Sequence, residues 1–168
     1  MTARAEPTFV WLEDRESWAE VAAFFARLIS LDPAYISHGE IQAGLSLDGA
    51  SWVSNLEERF LAELGEFDGT RSIVIARDRE GELLAAANVT WSFDSPDAPF
   101  ATIEDMVVDP KARSRGLGRR LYAAVETEAR QRGVTWIFLE SGTNNTRAHA
   151  FFERLGMVEV SRVFAARL

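Results

Sequence analysis

The segment from residue 100 to residue 140 constrains the fold most, because it has the pattern of a strand, a helix and a second strand. Phe100 to Val108 is apolar and ends at Asp109-Pro110, where proline cannot donate to a strand ladder. Gly116 to Arg132 has the apolar spacing of an amphipathic helix, and Val134 to Glu140 is apolar again. Two strands joined by a helix are expected to lie parallel, with a right-handed crossover.

The remaining segments add further strands and helices to this unit. Ser72 to Ala76 and Leu83 to Trp91 are apolar runs on either side of a turn, which indicates an antiparallel hairpin. The pattern also predicts a first strand at Phe9 to Leu12 and a strand-rich end at Met157 to Arg167. Three more helices are predicted: Trp18 to Ile29, Trp52 to Leu64 and Asn145 to Leu155. The expected class is α/β, with a mixed, mostly antiparallel sheet, a central parallel βαβ unit and helices on both faces. Trp136 is expected in the core.

Length and composition narrow the kinds of protein this chain can be. Its 168 residues fit a single domain spanning 1–168, with residues 1–6 as a loose terminus. The chain has no cysteine and only two histidines, so we expect no metal site. A net charge of -8 argues against nucleic acid as a partner. The sequence has neither an apolar run of ~20 residues nor an apolar N-terminal signal, so we expect a cytoplasmic protein without a membrane partner.

A basic, glycine-containing turn precedes the helix of the βαβ unit. Ten positions hold five of the 18 basic residues together with two glycines: Lys111, Arg113, Arg115, Gly116, Gly118, Arg119 and Arg120. The first N–H groups of a helix have no intrahelical partner, and the positive end of the helix dipole lies behind them. A diphosphate could therefore bind to the bare backbone there, with the arginines adding charge. The alternative is a tight strand-to-helix turn that needs glycine only for its backbone.

Two successive motifs of the chain resemble those of the GNAT superfamily, the acetyl-CoA-dependent N-acetyltransferases. Arg113, Gly116 and Gly118 match its [RQ]-x-x-G-x-[GA] turn between a strand and a helix. The second motif follows downstream: Asn145, Ala148, Phe151, Phe152, Leu155, Gly156 and Met157. The resemblance covers roughly residues 100–158. It implies transfer of the acetyl group of acetyl-CoA to a primary amine of a small molecule or peptide, by direct attack through a tetrahedral intermediate. A homodimer is also a form that the family often takes.

The resemblance also implies which residues contact acetyl-CoA. In the family, the two strands of the βαβ unit splay apart and pantetheine lies between them, bonded to the strand backbone. Met106, Val107 and Val108 match that strand segment, and the Val108 N–H matches the group that polarises the thioester carbonyl. The diphosphate turn corresponds to Arg113, Ser114, Arg115, Gly116, Leu117, Gly118 and Arg119. Asn145 matches a residue that contacts CoA or orders the next loop, and it could equally cap a helix. Phe151 is the remaining expected contact to CoA.

Two glutamates are candidates for the general base that deprotonates the acceptor amine. The resemblance favours Glu104, four residues before Val108, and then Glu140, five residues before Asn145. Strand alternation places four residues on one face of the sheet: Thr102, Glu104, Met106 and Val108. Asp105 faces the other way and is expected to be structural. The alternative for each glutamate is an ion pair with a nearby arginine.

Phe152 departs from the family pattern, because many relatives carry there a tyrosine that protonates the leaving thiolate. The leaving thiolate then needs another proton donor, or takes a proton from water. A non-catalytic acyl-CoA-binding sensor is therefore the alternative function. A different acyl donor is also open.

Overall fold

A computed structural model describes residues 7–66, 69–113 and 116–168 of the chain. Its strands form one five-stranded sheet in the order β1-β2-β3-β4-β5. The strands are β1 (Phe9–Trp11), β2 (Arg71–Arg77), β3 (Leu83–Ser92), β4 (Phe100–Val108) and β5 (Trp136–Leu139). The helices are α1 (Trp18–Ile29), α2 (His38–Gln42), α3 (Leu56–Gly65), α4 (Leu117–Gln131) and α5 (Thr146–Arg154). None of these helices is both long and apolar enough to cross a membrane.

The strand directions confirm the expected mixed sheet. β1 to β4 pair antiparallel in sequence order, while β4 and β5 pair parallel on either side of α4. The sheet is covered on both faces, which was also expected. α1 and α3 pack on one face, which we call the α1 face, through residues such as Phe25 and Phe60. α4 covers the other, the α4 face, with Leu121 and Val125 fully buried; each such side chain contributes roughly 1.5–3 kcal/mol.

A β-bulge interrupts the pairing of β3 with β4. Asp105 lies opposite Asn88 and Ile103 lies opposite Val89, so Glu104 is an extra residue on β4. A bulge of this kind bends the strand and redirects the side chains on either side of it, and it is common next to active sites.

Because of the bulge, the prediction of which β4 side chains share a face of the sheet is wrong. The Thr90 hydroxyl donates to Glu104 at 2.6 Å, and the Asn88 amide donates to Asp105 at 3.1 Å. Asn88 and Thr90 are two residues apart on β3, so both carboxylates reach the same face, the α1 face. The four residues that were expected on one face are therefore divided between the two faces. Met106 and Val108 lie on the α4 face, apart from Thr102 and Glu104.

The predicted strand-rich segment from Met157 to Arg167 is wrong, because residues 157–168, all described, contain no strand. No backbone hydrogen bond joins this segment to a described strand, and a lone extended segment cannot form a ladder. β5 is therefore an edge strand. Trp136, expected in the core, is 56% exposed for the same reason.

Candidate active site

A cavity of about 560 Å³ opens between β4, the start of α4 and α5. β4 and β5 pair only from Phe100 with Trp136 to Ile103 with Leu139, so the rest of β4 borders a gap, as the splayed arrangement requires. Every predicted site residue that the structure describes lines this cavity. They are Glu104, Met106, Val107, Val108, Arg113, Gly116, Leu117, Gly118, Arg119, Glu140, Asn145 and Phe151. Ser114 and Arg115 lie outside the described residues.

The backbone of β4 directs the Val108 N–H into the gap. The Asp109 N–H donates to Leu84 in β3 at 2.8 Å, while the Met106 N–H donates to the Tyr35 hydroxyl at 3.3 Å on the opposite side. Alternate residues of a strand direct their N–H groups to the same side, so Val108 faces the cavity together with Met106. The Val108 carbonyl accepts from Arg113 Nε at 3.3 Å. An N–H in this position can donate to an acyl oxygen bound in the gap.

The start of α4 offers bare backbone to the same cavity. Gly116 is the N-cap residue, with a φ of 68°, and it has no side chain with which to cap the helix. Among the described residues, the N–H groups of Leu117, Gly118 and Arg119 have no hydrogen-bond acceptor. A Cβ on Gly118 would lie 3.2 Å from the Phe151 ring, so this glycine also allows α4 to pack closely against α5. The positive φ of Gly116 and the close approach of α5 to Gly118 confirm the structural reasons for glycine, and phosphate binding by the bare N–H groups stays a prediction.

Four arginines line the cavity, and only two of them were predicted from the sequence. Arg113 and Arg119 were expected, whereas Arg147 and Arg154 on α5 were not. Burial first, and then the neighbouring Arg147 guanidinium, lower the pKa of Arg113. Cations that oppose each other in this way favour a bound anion. Arg147 and Arg154 are seven residues apart, a spacing that places both on one face of a helix. This spacing is the sequence signal that could have identified them.

Comparison with known proteins identifies the family. The model of the acetyltransferase (GNAT) family matches residues 41–157. The chain belongs to the GNAT family. A mycothiol acetyltransferase from Beutenbergia cavernae is 32% identical over an alignment of 133 residues, which covers 74% of this chain and 43% of that protein. An aminoglycoside N(6')-acetyltransferase type 1 from Stenotrophomonas maltophilia is 28% identical over 60% of this chain and 69% of its own length. This chain thus spans less than half of the first relative.

The fold of this GNAT protein also matches solved structures. The ribosomal-protein-alanine N-acetyltransferase from Brucella melitensis biovar Abortus superimposes with a TM-score of 0.65. The match covers 97% of this chain and 100% of that one, at 14% identity, so it concerns the fold alone.

Glu104 lines the cavity of the GNAT protein from the bulge on β4. Its side chain is exposed, and one carboxylate oxygen accepts from Thr90. The other oxygen has no hydrogen-bond partner among the described residues. The geometry therefore leaves one carboxylate oxygen available to a molecule in the cavity.

Glu140 lines the same cavity but is held by several groups at the start of α2. Its Oε1 accepts from the Ser37 hydroxyl and from the Gly39 N–H at 3.1 Å, and it lies 2.6 Å from His38 Nδ1. These contacts join the loop after β5 to α2. All three contacts are to Oε1, so Oε2 has no hydrogen-bond partner among the described residues, and the role of Glu140 stays a prediction.

Asp105, which is buried, and Tyr35, which is half-buried, form a pair that the sequence did not indicate as functional. Burial, followed by the negative charge of Glu63, raises the pKa of Asp105 to about 7. The Tyr35 hydroxyl lies 3.5 Å from Asp105, and burial raises the pKa of this hydroxyl well above its usual value. Tyr35 also lines the cavity. The pair therefore places an un-ionised hydroxyl beside the Met106 N–H that was expected to bond to pantetheine.

The raised pKa of Asp105 predicts how stability depends on pH. Between about pH 4 and pH 7 the folded protein keeps on Asp105 a proton that the unfolded chain has lost. The contribution of this proton to the free energy of unfolding is therefore lost as the pH rises through 7. Asp105→Asn removes the buried charge. We expect it to raise the free energy of unfolding at pH 8 by a few kcal/mol at most, and by little at pH 4. Urea denaturation at both values measures this, with the exposed Asp97→Asn as control; an equal effect at both pH values would contradict it.

Gly142 holds the loop after β5 against the segment that carries Tyr35. A Cβ at this buried position would overlap the carbonyl oxygens of Ala34 and Ile36, which are backbone atoms and cannot rotate away. We expect Gly142→Ala to destabilise the fold by about 3 kcal/mol or more. Gly65→Ala is the matched control, because its Cβ would meet open space at the end of α3. Thermal unfolding compares the two; a Gly142→Ala protein as stable as the control would contradict this packing.

Asn145 confirms one of its two expected roles. It is the N-cap residue of α5, and its side-chain oxygen accepts from the Ala148 N–H at 3.3 Å. Its contact to CoA stays a prediction. The described residues hold no cluster of three or more side chains that could bind a metal ion.

Proposed function

We propose that this protein transfers the acetyl group of acetyl-CoA to a primary amine of a small molecule or a peptide. One observation carries the proposal: the Val108 N–H enters a cavity beside the uncapped first turn of α4. This arrangement suits a thioester whose carbonyl lies at Val108 and whose diphosphate lies at Gly116 to Arg119. The names of the two curated relatives, both acetyltransferases, support the same reaction.

Each part of the chemistry has a candidate group in the cavity. The Val108 N–H donates to the acyl oxygen as negative charge develops there, which typically stabilises the tetrahedral intermediate by ~3 kcal/mol. Glu104 removes a proton from the acceptor ammonium, so that the free amine attacks the carbonyl carbon directly. Glu104 and Glu140 line the cavity and attract a cationic acceptor, while the four arginines attract the diphosphate.

The departing thiolate needs no strong acid. Phe152 lines the cavity and has no proton to give. A thiol has a pKa of about 8.5, so the thiolate can leave and then take a proton from water. The Tyr35 hydroxyl lines the same cavity but donates its proton toward Asp105 at 3.5 Å, so water is the proton donor that we propose.

The second candidate function is an acyl-CoA-binding sensor without turnover, and Phe152 is the observation that favours it. Release of free thiol from acetyl-CoA with a panel of amines separates the two. We expect thiol release that depends on the amine and an acetylated product with a mass increase of one acetyl group. CoA binding with no product from any amine would favour the sensor, and absence of CoA binding would contradict both functions. The same assay with propionyl- and succinyl-CoA tests the choice of acyl donor.

A further inference from the structure

β4 has strand partners on both sides only as far as Ile103. Beyond that residue the pairing with β5 ends, and the N–H groups of Met106 and Val108 face the gap. A strand segment that is bonded on one side only is held less firmly than one in the middle of a sheet. A donor that stabilises a developing charge must nevertheless stay within about 0.5 Å of its productive position. This part of β4 therefore needs a support other than β5.

The Tyr35 hydroxyl supplies a hydrogen bond where β5 is absent. Its oxygen accepts from the Met106 N–H at 3.3 Å, and its own proton is donated toward Asp105 Oδ1 at 3.5 Å. The Asn88 amide in β3 donates to the other oxygen of Asp105 at 3.1 Å. Both Asn88 and Asp105 are buried, so water competes little for these bonds. A chain of hydrogen bonds therefore runs from β3 through Tyr35 to the backbone of β4 that faces the gap.

The segment that carries Tyr35 is also fixed on the other side of the gap. The carbonyl groups immediately before and after Tyr35 lie against Gly142, in the loop that follows β5. The Gly39 N–H donates to Glu140 in the same loop at 3.1 Å. The Trp52 ring, with its centroid 6.3 Å from that of Tyr35, packs against the tyrosine ring. Tyr35 is therefore presented by a segment that contacts both walls of the gap.

We propose that Tyr35 is a positioning residue: it holds the Met106 N–H and thereby fixes the direction of the Val108 N–H, two residues further along β4. This role rests on the proposed acetyl transfer, in which the Val108 N–H stabilises the negative charge that develops on the acyl oxygen. Because Tyr35 occupies the Met106 N–H, the bond that the resemblance assigns to pantetheine at Met106 is made by the protein itself. β4 then keeps its position before the substrate arrives.

The Asn88 amide indicates which variant of Asp105 should keep Tyr35 in place. Asn88 Oδ1 is buried and has no hydrogen-bond partner among the described residues. In Asp105→Asn one oxygen remains to accept from Tyr35, and the new amide can donate to Asn88 Oδ1 once the Asn88 amide turns over. We therefore expect this conservative variant to lower kcat by about threefold at most, because each hydrogen bond of the chain is retained.

Tyr35→Phe removes the hydroxyl and keeps the ring that packs against Trp52. We expect kcat to fall by about 10–100-fold, since a displacement of about 1 Å in an active site can cost about 10²-fold. The KM for acetyl-CoA should change by less than about threefold, because the start of α4 and the arginines are untouched. Tyr122→Phe is the matched control: Tyr122 is the only other tyrosine, it packs on the α4 face, and its loss should leave kcat unchanged. Steady-state rates at varied acetyl-CoA measure both quantities.

Hydrogen exchange of the Met106 N–H, measured by NMR, tests the contact without any substrate. In Tyr35→Phe we expect this N–H to exchange about 10-fold faster or more, whereas the Asp109 N–H, which donates to Leu84 at 2.8 Å, should exchange as before. Equal kcat in Tyr35→Phe and Tyr122→Phe, or a lower kcat with unchanged exchange at Met106, would overturn the proposal. A lack of thiol release by the unmodified protein with any amine would contradict the proposed acetyl transfer instead. Unchanged exchange at Met106 would then show separately that Tyr35 does not hold β4.

Discussion

Glu104→Gln is expected to lower kcat by about 10²–10⁴-fold while the affinity for CoA changes less than about twofold. Glu104 lines the cavity from the bulge on β4, whereas the arginines that would hold the diphosphate lie around the start of α4 and on α5. Glutamine has the same shape and can still accept from Thr90, but it cannot take a proton from the acceptor ammonium. Steady-state rates and calorimetric titration with CoA measure the two quantities separately.

The pH dependence of this variant separates catalysis from structure. An amine with a pKa near 10 loses its proton unaided at high pH, so the rates of Glu104→Gln and the unmodified protein should converge there. Thr90→Val is the matched control, because it removes the 2.6 Å hydrogen bond to Glu104 and keeps the carboxylate. Unmodified activity in Glu104→Gln, or an equal loss in Thr90→Val, would exclude Glu104 as the base. Glu140→Gln, measured in parallel, would then show whether the second carboxylate takes that role.

The parts of the fold and the site that the sequence predicted depend on local patterns. β4, the turn at Gly116 and the helix α4 follow one another in the chain, and each has its own periodicity or terminating residue. The strand directions follow from short connections and from the handedness of the crossover. The residues that line the cavity could be named for the same reason, since most of them lie on this single unit and on the helix that follows β5.

The features that the sequence did not predict depend on pairing across the fold. A bulge is defined by the register of two strands, so nothing in the β4 segment alone places Glu104 and Asp105 on the same face. Tyr35 comes to Asp105 from 70 residues away, out of a segment that glycines interrupt. Glu140 was identified as lining the site, but its partners on α2 come from that same segment. These misses concern the part of the cavity wall to which the N-terminal half contributes Leu28, Ile29, Asp32 and Tyr35.

The strand pattern of residues 157–167 shows a different limit. Alternating valines indicate that a segment is able to pair in a sheet, but they do not say which strand receives it. The apolar pattern of β5 likewise made Trp136 a core residue, although its burial depends on what covers that end of the sheet. Both errors have a single physical cause: among the described residues, no strand lies beside the outer edge of β5.

Gly118→Asp is expected to weaken CoA binding by about 100-fold or more. Gly118 lies in the first turn of α4, where the N–H groups have no acceptor among the described residues. A Cβ there would lie 3.2 Å from the Phe151 ring and 3.8 Å from Val108 Cγ2, so any side chain pushes on the wall of the cavity. The carboxylate adds repulsion toward a diphosphate at the same helix start. Because an acidic residue in the first turn favours the helix itself, lost affinity would not reflect unwinding of α4.

Two further substitutions at this position separate bulk from charge. Gly118→Ala adds only the Cβ, and Gly118→Asn adds the shape of aspartate without its charge. We expect affinity to fall in the order Ala, Asn, Asp. The difference between Asn and Asp should shrink as salt is raised from 0.05 to about 0.5 M, because salt screens the repulsion between the carboxylate and the phosphates. Calorimetric titration with CoA measures all three. Equal affinities for Asn and Asp at low salt would show that no phosphate lies at this turn, and unchanged affinity in Gly118→Asp would remove the CoA site from α4 altogether.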